Sequence, residues 1–291
     1  MKFALFIGCN IPARVQQYEL SARAVLGKLD IDVVDIREFN CCGYPMRNAD
    51  FHTYLHFAAR NLALAQKQGL NLMTLCKCCF GSLKKADHLL KEDKTLRDSI
   101  NAYLTKEGLG YDGNLEVTHF LSVLHKGIGV PVLKEKISRT FKDLNIATHY
   151  GCHALRPSEI MQFDNPAAPV LFDELVTVTG AKSVAWPLKL DCCGAPLMGI
   201  NDKLSMDLTN KKLADSRQAG ADYLCSACPW CQIQFDTVQQ MINSNSGGNH
   251  ELPSILYPQL LGLGLGIGEK ALGLNMNRID ITGIKEYFSK E

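Results

Sequence analysis

The sequence has no excess of charge of either sign and no long apolar run. Its 31 basic and 30 acidic side chains leave a net formal charge of +1 over 291 residues. A nucleic-acid-binding protein normally carries a clustered basic face, so no nucleic-acid partner is indicated. The most apolar stretch, 255–267, is shorter than the roughly 20 residues that a spanning helix needs, and it contains Pro258 and three glycines. We therefore expect a buried strand and helix there, and no direct membrane span.

Motifs for the common redox cofactors are also absent. The sequence has no Walker loop, no flavin or nicotinamide fingerprint, and no ferredoxin-like run of the form C-x2-C-x2-C-x3-C-P. The glycine-rich segment 262–268 fails the GxGxxG spacing at its last glycine, so we interpret it as a helix-packing segment. Any electrons that this chain uses would have to come from a partner.

The start of the chain does not have the pattern of a secretory signal. MKFALFIGCN contains one lysine and a short apolar run that already includes a cysteine. The twelve cysteines are therefore not expected to form the disulfides that staple small secreted domains. We expect a cytoplasmic protein whose reduced cysteines bind metal.

Ten of the twelve cysteines follow one pattern that occurs twice in the same order. A single cysteine, a Cys-Cys pair and a CxxC pair are separated by 31, 33 and 2 residues in the first set and by 39, 34 and 2 in the second. Scattered core cysteines would not repeat, so the pattern predicts two metal–sulfur sites in two related halves. The first set is Cys9, Cys41, Cys42, Cys76 and Cys79, and the second is Cys152, Cys192, Cys193, Cys228 and Cys231.

The repeat divides the chain into two predicted domains, 1–145 and 146–291. Short apolar strands lead into the motif cysteines of both halves, as in Lys2–Gly8 before Cys9. Strands that alternate with helices predict an α/β fold of two pseudo-repeated Rossmann-like halves with parallel sheets. The cysteine-rich loops would then lie at the carboxyl ends of the strands, where such sheets bind ligands.

Apolar residues at helical spacing predict helices at 12–29, 50–68 and 202–219. Asp50 and Asn201 or Asp202 precede two of these segments and are candidate N-caps. These helices would cover the faces of the parallel sheets.

The Cys-Cys pairs favour a polynuclear cluster over a single ion. Adjacent residues rarely point at one tetrahedral ion without strain, and five thiolates exceed the four of an ordinary zinc or cubane site. The glycines that follow, Gly43 and Gly194, would allow a close backbone approach or an unusual φ. CxxC alone is also compatible with zinc, so two structural zinc sites, or zinc in one half only, stay open.

These motifs resemble a known family. GC-x31-CCGYP-x30-CKCC and GC-x39-CCGAP-x28-CSACPWC are similar to the doubled cysteine-rich CCG domain, and the size and the FGSL and QIQFD segments resemble the B subunit of heterodisulfide reductase. The resemblance covers essentially the whole chain. It implies that each five-cysteine set binds a noncubane [4Fe-4S] cluster. It also implies that a disulfide bound between the two clusters is reduced to two thiols.

The resemblance further implies a catalytic subunit of a larger complex. Electrons would come from an iron–sulfur subunit that is linked to a flavin-bearing subunit. The substrate would be the coenzyme M–coenzyme B heterodisulfide or a related small disulfide. Related CCG domains give an alternative, which is an electron-transfer subunit of a flavoprotein dehydrogenase or a fumarate reductase-type complex that exchanges electrons with quinone.

Several other residues could act beside the clusters. His153 follows a predicted ligand and could give a proton to a departing thiolate or hydrogen-bond a cluster sulfur, with plain packing as the alternative. Cys78 and Cys225 depart from the pattern, and we interpret them as small apolar residues, with alternate ligation left open. The histidines without metal-ligand spacing are interpreted as structural; they are His119, His125 and His149.

Overall fold

The computed structural model describes residues 1–246 and 251–289, with only the backbone described at 245 and 246. The described residues form two four-stranded sheets in which all paired strands are parallel. The strands are β1 Lys2–Phe6, β2 Asp32–Val34, β3 Asn71–Thr74, β4 Val117–His119, β5 Asn145–Thr148, β6 Lys182–Ser183, β7 Tyr223–Ser226 and β8 Ser254–Leu256.

The two sheets have the same topology. The strand order is β2-β1-β3-β4 in the first and β6-β5-β7-β8 in the second, so corresponding strands occupy corresponding places. The central strand β1 buries Ala4, Leu5 and Phe6 in sequence, as expected of a parallel strand covered on both faces. The predicted α/β fold with two Rossmann-like, parallel-sheet repeats is confirmed.

The helices alternate with the strands. The helices predicted at 50–68 and 202–219 are present, whereas the one predicted at 12–29 is divided at Val15 into two helices, Asn10–Arg14 and Gln16–Lys28. Side chains cap two of them: Asp50 accepts from the amide of Thr53 at 3.0 Å, and Asn201 accepts from that of Leu204 at 3.1 Å. The α-helices of the described ranges are α1 Asn10–Arg14, α2 Gln16–Lys28, α3 Phe51–Lys67, α4 Lys77–Glu92, α5 Lys94–Leu104, α6 Phe120–Ser122, α7 Val130–Lys136, α8 Ser158–Met161, α9 Leu171–Thr177, α10 Asp202–Gln218, α11 Pro229–Ile233, α12 Gln239–Ser246, α13 Tyr257–Gly264 and α14 Glu269–Leu272.

Tighter and wider helical turns extend this framework. Two π-helical segments, Val123–Gly129 and Gln234–Val238, join α6 to α7 and α11 to α12. The short 3-10 segments are Tyr44–Met46, Thr105–Glu107, Pro187–Leu190, Ala195–Leu197, Leu274–Met276 and Thr282–Tyr287.

The chain forms two compact units whose segments interleave along the sequence. The first unit contains 1–9, 30–120 and 153–166; the second contains 10–29, 121–152 and the residues from 167 onward. Within the second unit α2 packs on α13 and α14, and within the first α8 packs on α4. The predicted boundary at residue 145 falls at the first residue of β5, so it separates the strands of the two sheets except for Asn145, and each half also contributes a segment to the other unit. The domains 1–145 and 146–291 therefore remain a proposal about the duplicated sequence.

The most apolar segment is internal to the second unit. It forms β8 and α13, and every residue of α13 is buried. Over the ranges that the structure describes, we find no helix with the length and hydropathy of a membrane span.

Candidate metal–sulfur sites

The first cysteine set lies at the carboxyl ends of three neighbouring strands. Cys9 follows β1, the Cys41–Cys42 pair follows β2, and Cys76 follows β3 as the N-cap of α4. Parallel strands end at one edge of a sheet, so loops that are distant in sequence meet there. The first turn of α4 then adds Cys79.

The second set occupies the same places in the second sheet. Cys152 follows β5, the Cys192–Cys193 pair follows β6, and Cys228 follows β7 as the N-cap of α11. Cys231 lies within α11. The two sets are therefore equivalent in fold position as well as in sequence order.

The structure brings all five thiols of each set together. In the first set hydrogen bonds link Cys41 to both Cys9 and Cys42, and Cys79 to both Cys42 and Cys76. In the second set the same order of contacts runs Cys152, Cys192, Cys193, Cys231 and Cys228. A chain of five sulfurs in contact is a compact donor set of the soft type that iron–sulfur clusters and zinc prefer.

The mutual contacts shift the thiol pKa values in opposite directions. Hydrogen bonds from Cys42 and Cys9 lower the pKa of Cys41 to about 2. The hydrogen bond to Cys41, together with burial, raises the pKa of Cys42 to about 12. The pKa of Cys79 is raised by hydrogen bonds to Cys42 and Cys76 and by burial. Without positive charge the sulfurs share protons, because several adjacent thiolates repel each other; a bound metal removes this restriction.

The second set shows the same effect. The hydrogen bond to Cys192, together with burial, raises the pKa of Cys193 to about 12. The pKa values of Cys152 and Cys231 are also raised, first by hydrogen bonds to neighbouring thiols and then by burial. Each set therefore fits a cluster of several metal ions, and its five cysteines would hold that cluster.

Glycines fix the Cys-Cys pairs against the following helices. Gly43 and Gly194 have φ of 80° and 95°, in the left-handed region. A Cβ at Gly43 would lie 2.7 Å from the carbonyl oxygen of Tyr54, and one at Gly194 would lie 2.6 Å from that of Ser205. The Gly194 amide donates to Cys192 Sγ at 3.4 Å. Only a residue without a side chain permits this approach, so the predicted role of these glycines is confirmed.

Different side chains support the two Cys-Cys loops. In the first unit, Asn61 Nδ2 donates to the Cys41 carbonyl at 3.0 Å, and its Oδ1 accepts from the Asn40 amide at 3.0 Å. In the second, the buried Lys212 donates to the Leu188 carbonyl and lies 4.7 Å from the centre of the Trp186 ring. Burial lowers the pKa of Lys212 to about 8.

A buried hydroxyl network also holds the second loop. Thr209 Oγ1 lies 3.0 Å from the Cys193 carbonyl oxygen and 2.8 Å from Gln234 Oε1. Ser205 Oγ donates to the Gly194 carbonyl at 3.0 Å. The network connects α10 and the π-helical segment to the backbone of the thiol pair.

We expect Thr209→Val to destabilise the protein by about 1–3 kcal/mol, because valine has the same shape but leaves buried acceptors without their donor. Thr177→Val is the matched control, since Thr177 is exposed and its hydroxyl donates to the Glu174 carbonyl of its own helix. That change should cost no more than about 0.5 kcal/mol. Anaerobic urea unfolding measures both, and equal costs would contradict the role assigned to the network.

His153 and the two extra cysteines are not part of the repeated order of thiol contacts, but Cys78 lies beside the first set, with its Sγ within 4.8 Å of Cys76 Sγ. His153 follows Cys152 in sequence but belongs to the first unit, where its Nδ1 is 3.5 Å from Cys78 Sγ and its ring meets Tyr44 edge-on at 4.9 Å. Cys225 lies within β7, in register with Thr148 and Ile255. The five-thiol contacts of each set are complete without either extra cysteine.

His149 was missed by the sequence analysis as a site residue. Its ring nitrogen and the sulfurs of Cys193 and Cys231 all lie within 4.8 Å of one another, and all three residues are buried. No ligand spacing marks it; the available signal is its position three residues before Cys152, directly after β5. The other two interpretations agree with the contacts, since His119 packs on the rings of Phe80 and Phe163 and His125 Nε2 is 2.6 Å from Glu174 Oε2.

The fold and its two five-thiol sites define a doubled, cysteine-rich α/β protein. The family model for the cysteine-rich domain named CCG matches residues 3–84 and 146–236. The chain therefore belongs to the CCG cysteine-rich family, in which it is related to the B subunit of heterodisulfide reductase.

Two archaeal relatives are named as reductase subunits. The chain is 39% identical over 282 residues to the B subunit of the ferredoxin/F420H2-dependent CoB–CoM heterodisulfide reductase of Methanosarcina acetivorans, covering 96% of this chain and 94% of that protein. It is 37% identical over 283 residues to the B subunit of the ferredoxin:CoB–CoM heterodisulfide reductase of Methanosarcina mazei, with the same coverage.

A bacterial relative and a solved structure extend the comparison. The chain is 33% identical over 282 residues to the 8-methylmenaquinol:fumarate reductase membrane anchor subunit of Wolinella succinogenes, covering 97% of this chain and 98% of that protein. The crystal structure of a hypothetical protein from Helicobacter pylori matches with a TM-score of 0.78 and 18% identity, over 97% of this chain and 52% of that chain. At this identity the structural match shows a shared fold.

Proposed function

We propose that this protein is the catalytic subunit of a heterodisulfide reductase-type complex, which reduces a small disulfide to two thiols. The observation that carries the proposal is the pair of five-thiol contact chains at equivalent places in two sheets. The substrate class is the coenzyme M–coenzyme B heterodisulfide or a related disulfide, as the names of the Methanosarcina relatives suggest.

Each set of thiols would hold one noncubane [4Fe-4S] cluster. The first would be bound by Cys9, Cys41, Cys42, Cys76 and Cys79. The second would be bound by Cys152, Cys192, Cys193, Cys228 and Cys231. Such clusters supply one-electron chemistry, and two of them match the two electrons that a disulfide needs. Three of the five cysteines in each set are buried and would shield the metal from water; they are Cys42, Cys76 and Cys79 in the first set and Cys193, Cys228 and Cys231 in the second.

His153 is the proposed proton donor. Reduction of a disulfide consumes two electrons and two protons, and an imidazole can release a proton near neutral pH. Contact of Nδ1 with Cys78 and of the ring with Tyr44 fixes its orientation. The edge-on contact with Tyr44 therefore helps to fix the direction in which His153 Nε2 points.

Electrons would reach this chain from protein partners. We propose that an iron–sulfur subunit and, behind it, a flavin-bearing subunit supply them within a cytoplasmic complex. The relatives are named as subunits of reductases, which supports the proposal that this chain functions within a complex.

An anaerobic assay of the assembled complex tests this function. With reduced viologen as electron donor, we expect viologen oxidation on addition of the coenzyme M–coenzyme B disulfide or a related disulfide, with two thiols formed per disulfide consumed. Omission of the disulfide is the control and should leave only the background rate. A complex with both clusters present but no activity with any disulfide would disprove the reductase function.

A second function is favoured by the Wolinella relative. Its name assigns it to a quinol-linked fumarate reductase, so this chain could instead transfer electrons between a flavoprotein and quinone. Co-purification with a flavoprotein dehydrogenase, together with viologen oxidation by quinone rather than disulfide, would support that alternative. Metal analysis distinguishes iron–sulfur clusters from zinc sites. About eight irons with acid-labile sulfide indicate two clusters, and two zincs without sulfide indicate two structural zinc sites. One zinc with about four irons indicates a cluster in one half and zinc in the other.

A further inference from the structure

The two sites differ at one buried position that is equivalent in both repeats. Phe6 lies three residues before Cys9 and ends β1, while His149 lies three residues before Cys152 and directly follows β5. Both residues are almost fully buried, at 1% and 0% exposure. The phenyl ring has no polar hydrogen, whereas the imidazole ring carries a hydrogen-bond donor.

The surroundings of His149 hold its ring toward the thiols. A ring nitrogen and the sulfurs of Cys193 and Cys231 form a group with no separation above 4.8 Å. The ring of Phe235 meets the imidazole edge-on at 4.9 Å, and the backbone amide of His149 donates to the Cys225 carbonyl at 2.9 Å. Both ring and backbone are thus fixed, which gives the imidazole a defined direction.

At Phe6 the same place is apolar. Its ring packs on Phe39 with centres 5.1 Å apart. At this position the first site therefore has an apolar phenyl ring, and the second has a polar imidazole ring. Since the five thiols are otherwise arranged in the same order, this difference distinguishes the chemistry of the two sites.

We infer that His149 donates an N–H hydrogen bond to the cluster-binding sulfurs of Cys193 or Cys231 and thereby raises the reduction potential of the second cluster. This inference rests on the proposed function, because it requires a cluster in the second site. Reduction adds negative charge that spreads onto the cysteine sulfurs, and a donor aimed at a sulfur stabilises that charge. Five thiolates already meet the ligand requirement, so the imidazole acts through sulfur and not as a ligand to iron.

The test is an EPR-monitored redox titration of the full chain, anaerobically purified with its clusters. His149→Phe gives the second site the side chain that the first already accommodates. We expect the midpoint potential of one of the two cluster transitions to fall by about 59 mV, which corresponds to a tenfold change in the reduction equilibrium of a one-electron couple. The other transition should stay in place. His149→Gln keeps an N–H donor and should restore most of the wild-type value.

The control is Phe6→Leu, which changes packing at the equivalent place without removing a donor. It should shift neither transition by a comparable amount. In protein labelled with ¹⁵N-histidine, pulsed EPR should show a weak nitrogen coupling that decreases in His149→Phe.

Unchanged potentials in His149→Phe, with both clusters intact, would overturn the inference while leaving the proposed function standing. A strong coupling typical of nitrogen bound to iron would overturn the hydrogen-bond assignment. Wild-type protein without cluster signals would instead remove the proposed function, and this inference with it.

Discussion

Replacing Cys192 and Cys193 together with alanine is expected to halve the iron content, from about eight to about four atoms per chain, with a matching loss of acid-labile sulfide. These two residues form the centre of the second thiol chain, since Cys192 contacts Cys152 and Cys193 contacts Cys231. Only Cys152 and the Cys228–Cys231 pair would remain, and three sulfurs are too few for a [4Fe-4S] cluster. Iron and sulfide analysis of anaerobically purified protein measures the change, and disulfide reduction by the complex should fall to background.

The double variant Cys78→Ala/Cys225→Ala removes the same number of sulfurs and is the matched control. Cys225 lies within β7, and Cys78 contacts the His153 ring. Both are buried, as is Cys193, whereas Cys192 is half-buried, so the control loses at least as much packing. Its iron content should equal that of the wild type. If the control lost iron as the Cys192/Cys193 variant does, the ligand assignment would be wrong.

Gly194→Ala is expected to destabilise the protein by about 2–4 kcal/mol and to lower the iron content of the second site. The new Cβ would meet the Ser205 carbonyl oxygen at 2.6 Å, and the Ser205 Cα and carbonyl carbon at 3.3 Å. Backbone atoms within a helix cannot move aside as a flexible side chain can. The loop must shift instead, and it carries the sulfurs of Cys192 and Cys193 with it.

Gly199→Ala separates backbone strain from close approach. Gly199 has a similar φ of 88°, but a Cβ there would meet no atom within 4 Å. It should cost only about 1–2 kcal/mol and leave the iron content unchanged. Urea unfolding and iron analysis of both variants measure the two effects. Equal results for the two glycines would show that the approach of α10 does not position the thiol pair.

Local patterns in the sequence were sufficient for the elements that carry the site. Helical periodicity located α3 and α10, and Asp50 and Asn201 cap them as predicted. The repeated spacing selected ten thiols, and the structure places each set of five in one contact chain. Both signals depend on residues that are close in sequence or repeated at fixed intervals, so they can be recognised without a fold.

Other properties depended on tertiary packing. The helical pattern of 12–29 could not show that α2 packs in the second unit, since an apolar stripe does not specify its partner. His153 follows a thiol of the second set yet contacts Cys78 in the first unit.

The sequence by itself determined the ten thiols of the two sets, the α/β repeats and the strand-end loops that contain them, because strand and helix periods and cysteine spacing are local. Tertiary structure alone decided which segments each unit contains and that His149 lies beside Cys193 and Cys231. The physical reason is that these contacts join residues more than forty positions apart, and the chain path that brings them together follows from the packing of whole strands and helices.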